Sequence, residues 1–150
     1  MTVSPNERRL GADELIRRIH QTGTVVGRTG NIYKLEYAID PEEGECLSRV
    51  IRDDLSVKRT LEVGCAYGLS SLYICGALSG RTGASHTIRD PSENDAEHGW
   101  DGVGVRNLRE AGITFFQLIE NRSEFALPRL VVLKKTGDDQ RNWQWHVDSF

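Results

Sequence analysis

Cysteine, proline and methionine are scarce in this chain, with three, four and one respectively among 150 residues. The cysteines, Cys46, Cys65 and Cys75, form no C-x-x-C pair, and their odd number excludes a complete disulfide framework. A reducing, cytoplasmic setting suits them. Basic charge is not in excess either: 19 Lys and Arg stand against 22 Asp and Glu, a formal net charge of -3. Such a balance supplies no general positive field for nucleic acid or an anionic membrane surface. Long apolar runs are missing as well. The opening stretch MTVSPNERRLGADELIRRI contains none of signal-peptide or membrane-spanning length, so neither export nor anchoring is expected. His20, His86 and His98 show no H-x-x-x-H spacing, and no metal site is expected.

At this length one domain is the prior, and a core can form without disulfide or metal staples. The most informative stretch is Thr60 to Leu78, TLEVGCAYGLSSLYICGAL. Leu61 to Val63 reads as the end of a buried strand, Gly64 to Gly68 as a tight turn, and Leu69 to Leu78 as an apolar helix. A parallel strand feeding such a turn aims backbone N–H groups and the positive end of the helix above the sheet. Glycine at positions 64 and 68 permits unusual dihedrals and close approach of a ligand. The spacing is G-x-A-x-G, not the G-x-G-x-x-G of dinucleotide folds, and Glu62 stands two residues before the first glycine.

This pattern resembles motif I of the class I S-adenosylmethionine (SAM)-dependent methyltransferases, and LEVGCAYGLSSLYI resembles the opening of their small-molecule O-methyltransferase branch. The resemblance implies that Glu62 lies near the ammonium end of SAM and that Gly64, Cys65, Ala66, Tyr67 and Gly68 pass beneath its methionine and ribose portions. Cys65 could also be read as a nucleophile activated by the helix terminus, but with no histidine assignable beside it a small space-filling residue is the preferred reading.

Elsewhere the chain reads as alternating elements. Ala12 to His20 has the spacing of a short amphipathic helix, with Leu15, Ile16 and Ile19 inward. Thr24 to Leu35 is undecided between strand and loop. Ile39 to Asp54 predicts a helix with Asp40 as N-cap, Pro41 in the first turn and Leu47, Val50 and Ile51 as its apolar stripe. Lys34 to Ile39 could line a pocket. His86 to Asp90 reads as a second strand whose terminal Asp90 is placed to accept from ribose hydroxyls. Val103 to Ala111 predicts a helix stopped at Gly112, and Ile113 to Glu120 a third strand. The elements "DP", "G-x-x-N-L", "A-G-I" and "S-x-x-x-L-P" also recur in the family. On that analogy Asn121, Arg122 and Ser123 lie near the adenine edge; helix capping by Ser123 is the competing reading.

The resemblance covers roughly residues 36 to 130 and then breaks. A complete sheet of this family has seven strands, and too few residues remain for the fourth and fifth with their substrate-side loops. Leu130 to Lys134 reads as one more strand, and the ending resembles a final hairpin. Adjacent Asp138 and Asp139 need not converge on one ion, His146 and Asp148 lack an assignable proton donor, and Trp143 and Trp145 could stack on an acceptor or close the core.

The expected architecture is an α/β Rossmann-like methyltransferase fold, a three-layer α/β/α arrangement with a mostly parallel sheet, incomplete, with residues 1-35 as tail and helix and 36-150 as the SAM-binding domain. The expected function is SAM-dependent methyl transfer to a small-molecule acceptor, at a hydroxyl oxygen, with no metal, nucleic acid or membrane and with self-association open. A non-catalytic or partner-dependent remnant is the alternative, and an NAD-binding oxidoreductase fragment the lesser one.

Overall fold

The computed structural model describes residues 11–122, 124–125, 133–134 and 144–145. The first helix, α1 (Ala12–Thr22), buries Leu15, Ile16 and Ile19 and ends where Gly23 turns left-handed at φ 63°, its N–H closing on the Ile19 carbonyl. The undecided stretch that follows is a hairpin. β1 (Thr24–Val26) pairs antiparallel with β2 (Ile32–Lys34), setting Val25 opposite Tyr33.

α2 (Pro41–Asp53) begins where the Asp40 side chain accepts a hydrogen bond from the Glu42 N–H at 2.9 Å. Of the apolar stripe expected of it, Ile51 is buried and Leu47 packs against the same cluster, and Val50 is the exception. Gly44, Ser48 and Ile51 are buried, whereas Val50 is 64% exposed. The reason is proximity to the next helix: a side chain at Gly44 would run into the Tyr73 ring, and Ser48 Oγ donates to the Tyr73 carbonyl at 3.0 Å. Small residues win that face because they let two helices approach closely.

The three-stranded sheet consists of β3 (Arg59–Val63), β4 (Ser85–Arg89) and β5 (Phe116–Ile119), in that order and all parallel. Register sets Glu62 beside Ile88, and Ile88 beside Leu118. The crossovers are α3 (Leu69–Leu78) and α4 (Val103–Glu110). Right-handed connections of this kind place both helices on one face of the sheet. α1 and α2 pack against α3, which is apolar all round and buried along nearly its whole length. Leu15, Leu72, Leu78, Ile88 and Leu108 are fully buried in this layer. The result is an α/β Rossmann-like fold, incomplete, with a parallel sheet.

β6 (Leu133–Lys134) and β7 (Gln144–Trp145) pair antiparallel with each other, apart from the parallel sheet. Ser123, Asp138, Asp139, Trp143, His146, Asp148 and the tail at residues 1–9 lie outside the described residues. Among the described residues no helix is long and apolar enough to cross a membrane.

Candidate functional site

The turn between β3 and α3 is shaped by left-handed backbone at alternate positions: Gly64 at φ 89°, Ala66 at 50° and Gly68 at 73°. Two of these are glycine, for which that region carries no side-chain penalty; Ala66 is the strained member. The turn is tied to the neighbouring strand from below. Gly64 N–H donates to the Arg89 carbonyl at 2.8 Å, and Asp90 Oδ2 accepts from the N–H groups of Cys65 at 2.8 Å and Ala66 at 3.3 Å. Asp90 Oδ1 accepts from the Ser92 N–H at 2.9 Å. Asp90 therefore sits at the end of β4, 4% exposed, and staples the ends of two parallel strands together.

The two glycines of the turn do different things. A Cβ at Gly64 would meet nothing within 4 Å, so the space beside it is open. At Gly68 the close approach comes from the protein: a Cβ there would lie 2.7 Å from the Gly104 Cα. Gly104 reciprocates, since a side chain on it would strike the Cys65 Sγ. Asn107 secures the crossing by donating to the Tyr67 carbonyl at 2.9 Å.

Glu62 faces the helix layer. Its carboxylate accepts from the hydroxyls of Ser70 and Ser71 and lies 3.2 Å from His86 Nε2, while Thr60 Oγ1 lies 2.8 Å from His86 Nδ1. His86 is wholly buried and the Glu62 side chain only 12% exposed. The five polar side chains satisfy one another inside the sheet–helix interface, the condition under which burying them is tolerable.

Cys65 is 4% exposed, and burial, followed by the carboxylates of Glu93, Glu62 and Asp90, pushes its thiol far above the ordinary range. It stays protonated, as the space-filling reading requires. Asn121 and Arg122 follow β5 on the surface: Asn121 Oδ1 accepts from the Arg122 N–H at 2.8 Å, and Arg122 Nε pairs with Glu124 at 2.7 Å.

The fold and turn invite comparison with solved structures, and several match with most of this chain superposed. One is the O-methyltransferase TomG from Streptomyces achromogenes, involved in tomaymycin synthesis and solved with SAM (17% identity, TM-score 0.56, 87% of this chain and 50% of that one). A second is an O-methyltransferase from Bacillus cereus in complex with SAH (16%, 0.58, 77% and 47%). A third is the SAH-bound methyltransferase PaMTH1 from Podospora anserina (17%, 0.54, 85% and 55%). The fold is that of the O-methyltransferases. No protein-family model matches the chain, and no curated protein does. The chain spans about half the length of these solved methyltransferases.

Within this methyltransferase fold the described structure adds residues between Asp90 and Val103, a stretch to which the sequence analysis gave no role. Glu93 is fully buried, with Oε1 accepting from the Val105 N–H at 2.9 Å and Oε2 without a partner among the described residues. Burial raises its carboxyl to about 7, and Asp90 adds to the shift. Asp101, also fully buried, accepts from Thr29 through backbone and hydroxyl and from Tyr33 OH at 3.0 Å. It thereby latches the N-terminal hairpin to the start of α4. Trp100 crosses edge-to-face with Tyr67 above the turn, ring centroids 5.4 Å apart at 82°. The paired glycines Gly99 and Gly102 flanking WD are the one signal that this loop is built, since a side chain at either would crowd its neighbours.

Proposed function

We propose that this chain carries the cofactor half of a SAM-dependent methyltransferase acting at a hydroxyl oxygen of a small-molecule acceptor. The observation that supports it is the open space at Gly64, beside strand ends drawn together by Asp90. A nucleoside ligand would fit there because the backbone offers an unobstructed surface and the first turn of α3 offers uncommitted N–H groups. Gly64, Cys65, Ala66, Tyr67 and Gly68 would supply the floor, with Asn121, Arg122 and Ser123 at the adenine edge. Asp90 would reach ribose hydroxyls with acceptor capacity beyond the three N–H groups it already serves. Glu62 would act through the position of the turn, its carboxylate being engaged by Ser70, Ser71 and His86.

SAM, when bound, supplies an electrophilic methyl group. The chain's own contribution is then alignment and exclusion of water. In this reading the protein is cytoplasmic and needs neither nucleic acid nor membrane.

A second reading has a specific observation behind it. Leu61 and Val63 are 41% and 56% exposed on the sheet face away from the helices, and the chain spans half of its structural counterparts. A partner-dependent or non-catalytic module, self-associated or joined to another chain, would cover that face.

Calorimetric titration with SAM, SAH and NAD separates the possibilities. SAM binding that is lost in a folded Gly64→Leu variant is the expected result; methyl transfer alongside it supports the enzyme, and binding with no transfer to any acceptor supports the module. NAD binding alone, or unchanged SAM binding in Gly64→Leu, overturns the proposal.

A further inference from the structure

Among the described residues three non-glycine positions adopt left-handed backbone: Tyr37 at φ 54°, Ala66 at 50° and Asp101 at 50°. Each carries or adjoins one ring of a single aromatic cluster. Tyr37 is itself the first ring, Tyr67 follows Ala66, and Trp100 precedes Asp101. Left-handed backbone at residues other than glycine is uncommon and concentrates where function holds it in place. Three separate segments are thus held in uncommon conformations at the points that bring their rings together.

The rings build a corner. Trp100 lies edge-to-face with Tyr67 on one side and meets Tyr37 on the other at 6.3 Å and 67°. Tyr67 is 9% exposed and closes the base, Trp100 is half-buried, and Tyr37 stands out at 81% exposure. Core packing does not account for Tyr37, because most of its surface remains in water.

The charge that acts on Tyr67 is a carboxylate. The Tyr67 phenol is raised by burial and then by the Glu36 carboxylate, with Tyr37 and Tyr33 contributing, and no cation offsets them. Lys34 Nζ does lie 3.9 Å from Glu36, but with side-chain exposures of 82% and 53% that pair is solvated and exchangeable. Aromatic faces joined to a carboxylate form the environment that attracts an organic cation.

We infer that Tyr37, Trp100 and Glu36 form a binding corner for an organic ammonium group. Resting on the reading of the turn as a cofactor site, the ammonium belongs to the methyl acceptor and anchors it with its hydroxyl toward Gly64. The acceptor is then an amine-bearing hydroxy compound.

The test uses choline and its uncharged tert-butyl isostere as probes, read from the indole N–H resonance of Trp100 in the full chain. Choline is expected to give a saturable shift with about tenfold tighter binding than the isostere. Tyr37→Asn removes the ring with a residue that tolerates left-handed backbone, and should weaken choline about fivefold without lowering the melting temperature. Glu36→Gln should weaken it about threefold. Equal binding of the isostere, or no saturable response to choline, overturns the inference.

SAM and SAH titrated into Tyr37→Asn supply a separate arm. Unchanged affinity for both supports the acceptor assignment; a loss for SAM alone, with choline unaffected, transfers the cation to the cofactor's sulfonium and overturns it. Choline binding in a chain that ignores SAM leaves the corner standing while the methyltransferase reading fails.

Discussion

The two faces of the parallel sheet are built from the same strands and have opposite characters. On the helix face Glu62 and His86 are buried together with Thr60, Ser70 and Ser71, every group satisfied, and Ile88 is fully covered. One residue away along β3, Leu61 and Val63 turn apolar side chains toward solvent on the other face. The polarity is the reverse of what burial alone would choose. Polar groups are acceptable inside because their hydrogen bonds close, whereas the aliphatics on the other face are left partly in water among the described residues. Sequence alternation along a strand therefore reports that its two sides differ, and says nothing about which side has a partner.

The comparison can be broken most severely at the helix layer. Gly68→Ala sets a Cβ 2.7 Å from the Gly104 backbone at a residue whose φ is 73°, so clash and strain add. A loss of about 2–4 kcal/mol is expected in urea unfolding. A loss below about 1 kcal/mol would mean that α3 and α4 are not as close as the structure has them.

A pH titration sharpens the same layer. Glu93 is raised from an ordinary 4.5 to about 7, so between those values the folded state holds a proton that the unfolded state has released. Stability contributed by the protonated acid is fully present below about 4.5 and is lost as pH rises through about 7. The full difference is about 3 kcal/mol. Glu93→Gln keeps an acceptor for the Val105 N–H and cannot ionise, so it should gain on the parent protein across that window and hold the gain at pH 8. Parallel stability curves for the two proteins from pH 5 to pH 8, values chosen to bracket about 7, would show that Glu93 is not desolvated.

The smallest effect belongs to the open face. Leu61→Lys should change unfolding free energy by no more than about 0.5 kcal/mol, because the leucine is already 41% exposed. A large destabilisation, or one that varies with protein concentration, would reveal that another surface covers Leu61 in solution.

Legibility was uneven for physical reasons. The strand–turn–helix at 60–78 could be read because β propensity, glycine spacing and an apolar run agree within nineteen consecutive residues. Asp40 as a cap was equally local, and the structure carries that hydrogen bond. On α2 the stripe held at Leu47 and Ile51 but not at Val50, and Gly44 and Ser48 were missed because they are selected by the distance to Tyr73, which no helical period encodes. Glu62 looks like a ligand group in the motif, yet its partners Ser70, Ser71 and His86 are chosen by where α3 and β4 pack. The two carboxylates Asp90 and Glu93 illustrate the same division. Asp90 was placed by the end of a strand, whereas the burial of Glu93 depends on a loop folding beneath the start of α4.

By itself the chain's order of residues determined the α/β alternation, the helix caps and the glycine turn, since each depends on dihedral preference and on neighbours a few positions away. Tertiary structure alone decided which carboxylates are occupied, which glycine is open and which aromatic rings meet. Those outcomes depend on distances between segments remote in sequence, such as Tyr37, Tyr67 and Trp100, and close packing sets such distances only once the layers have assembled.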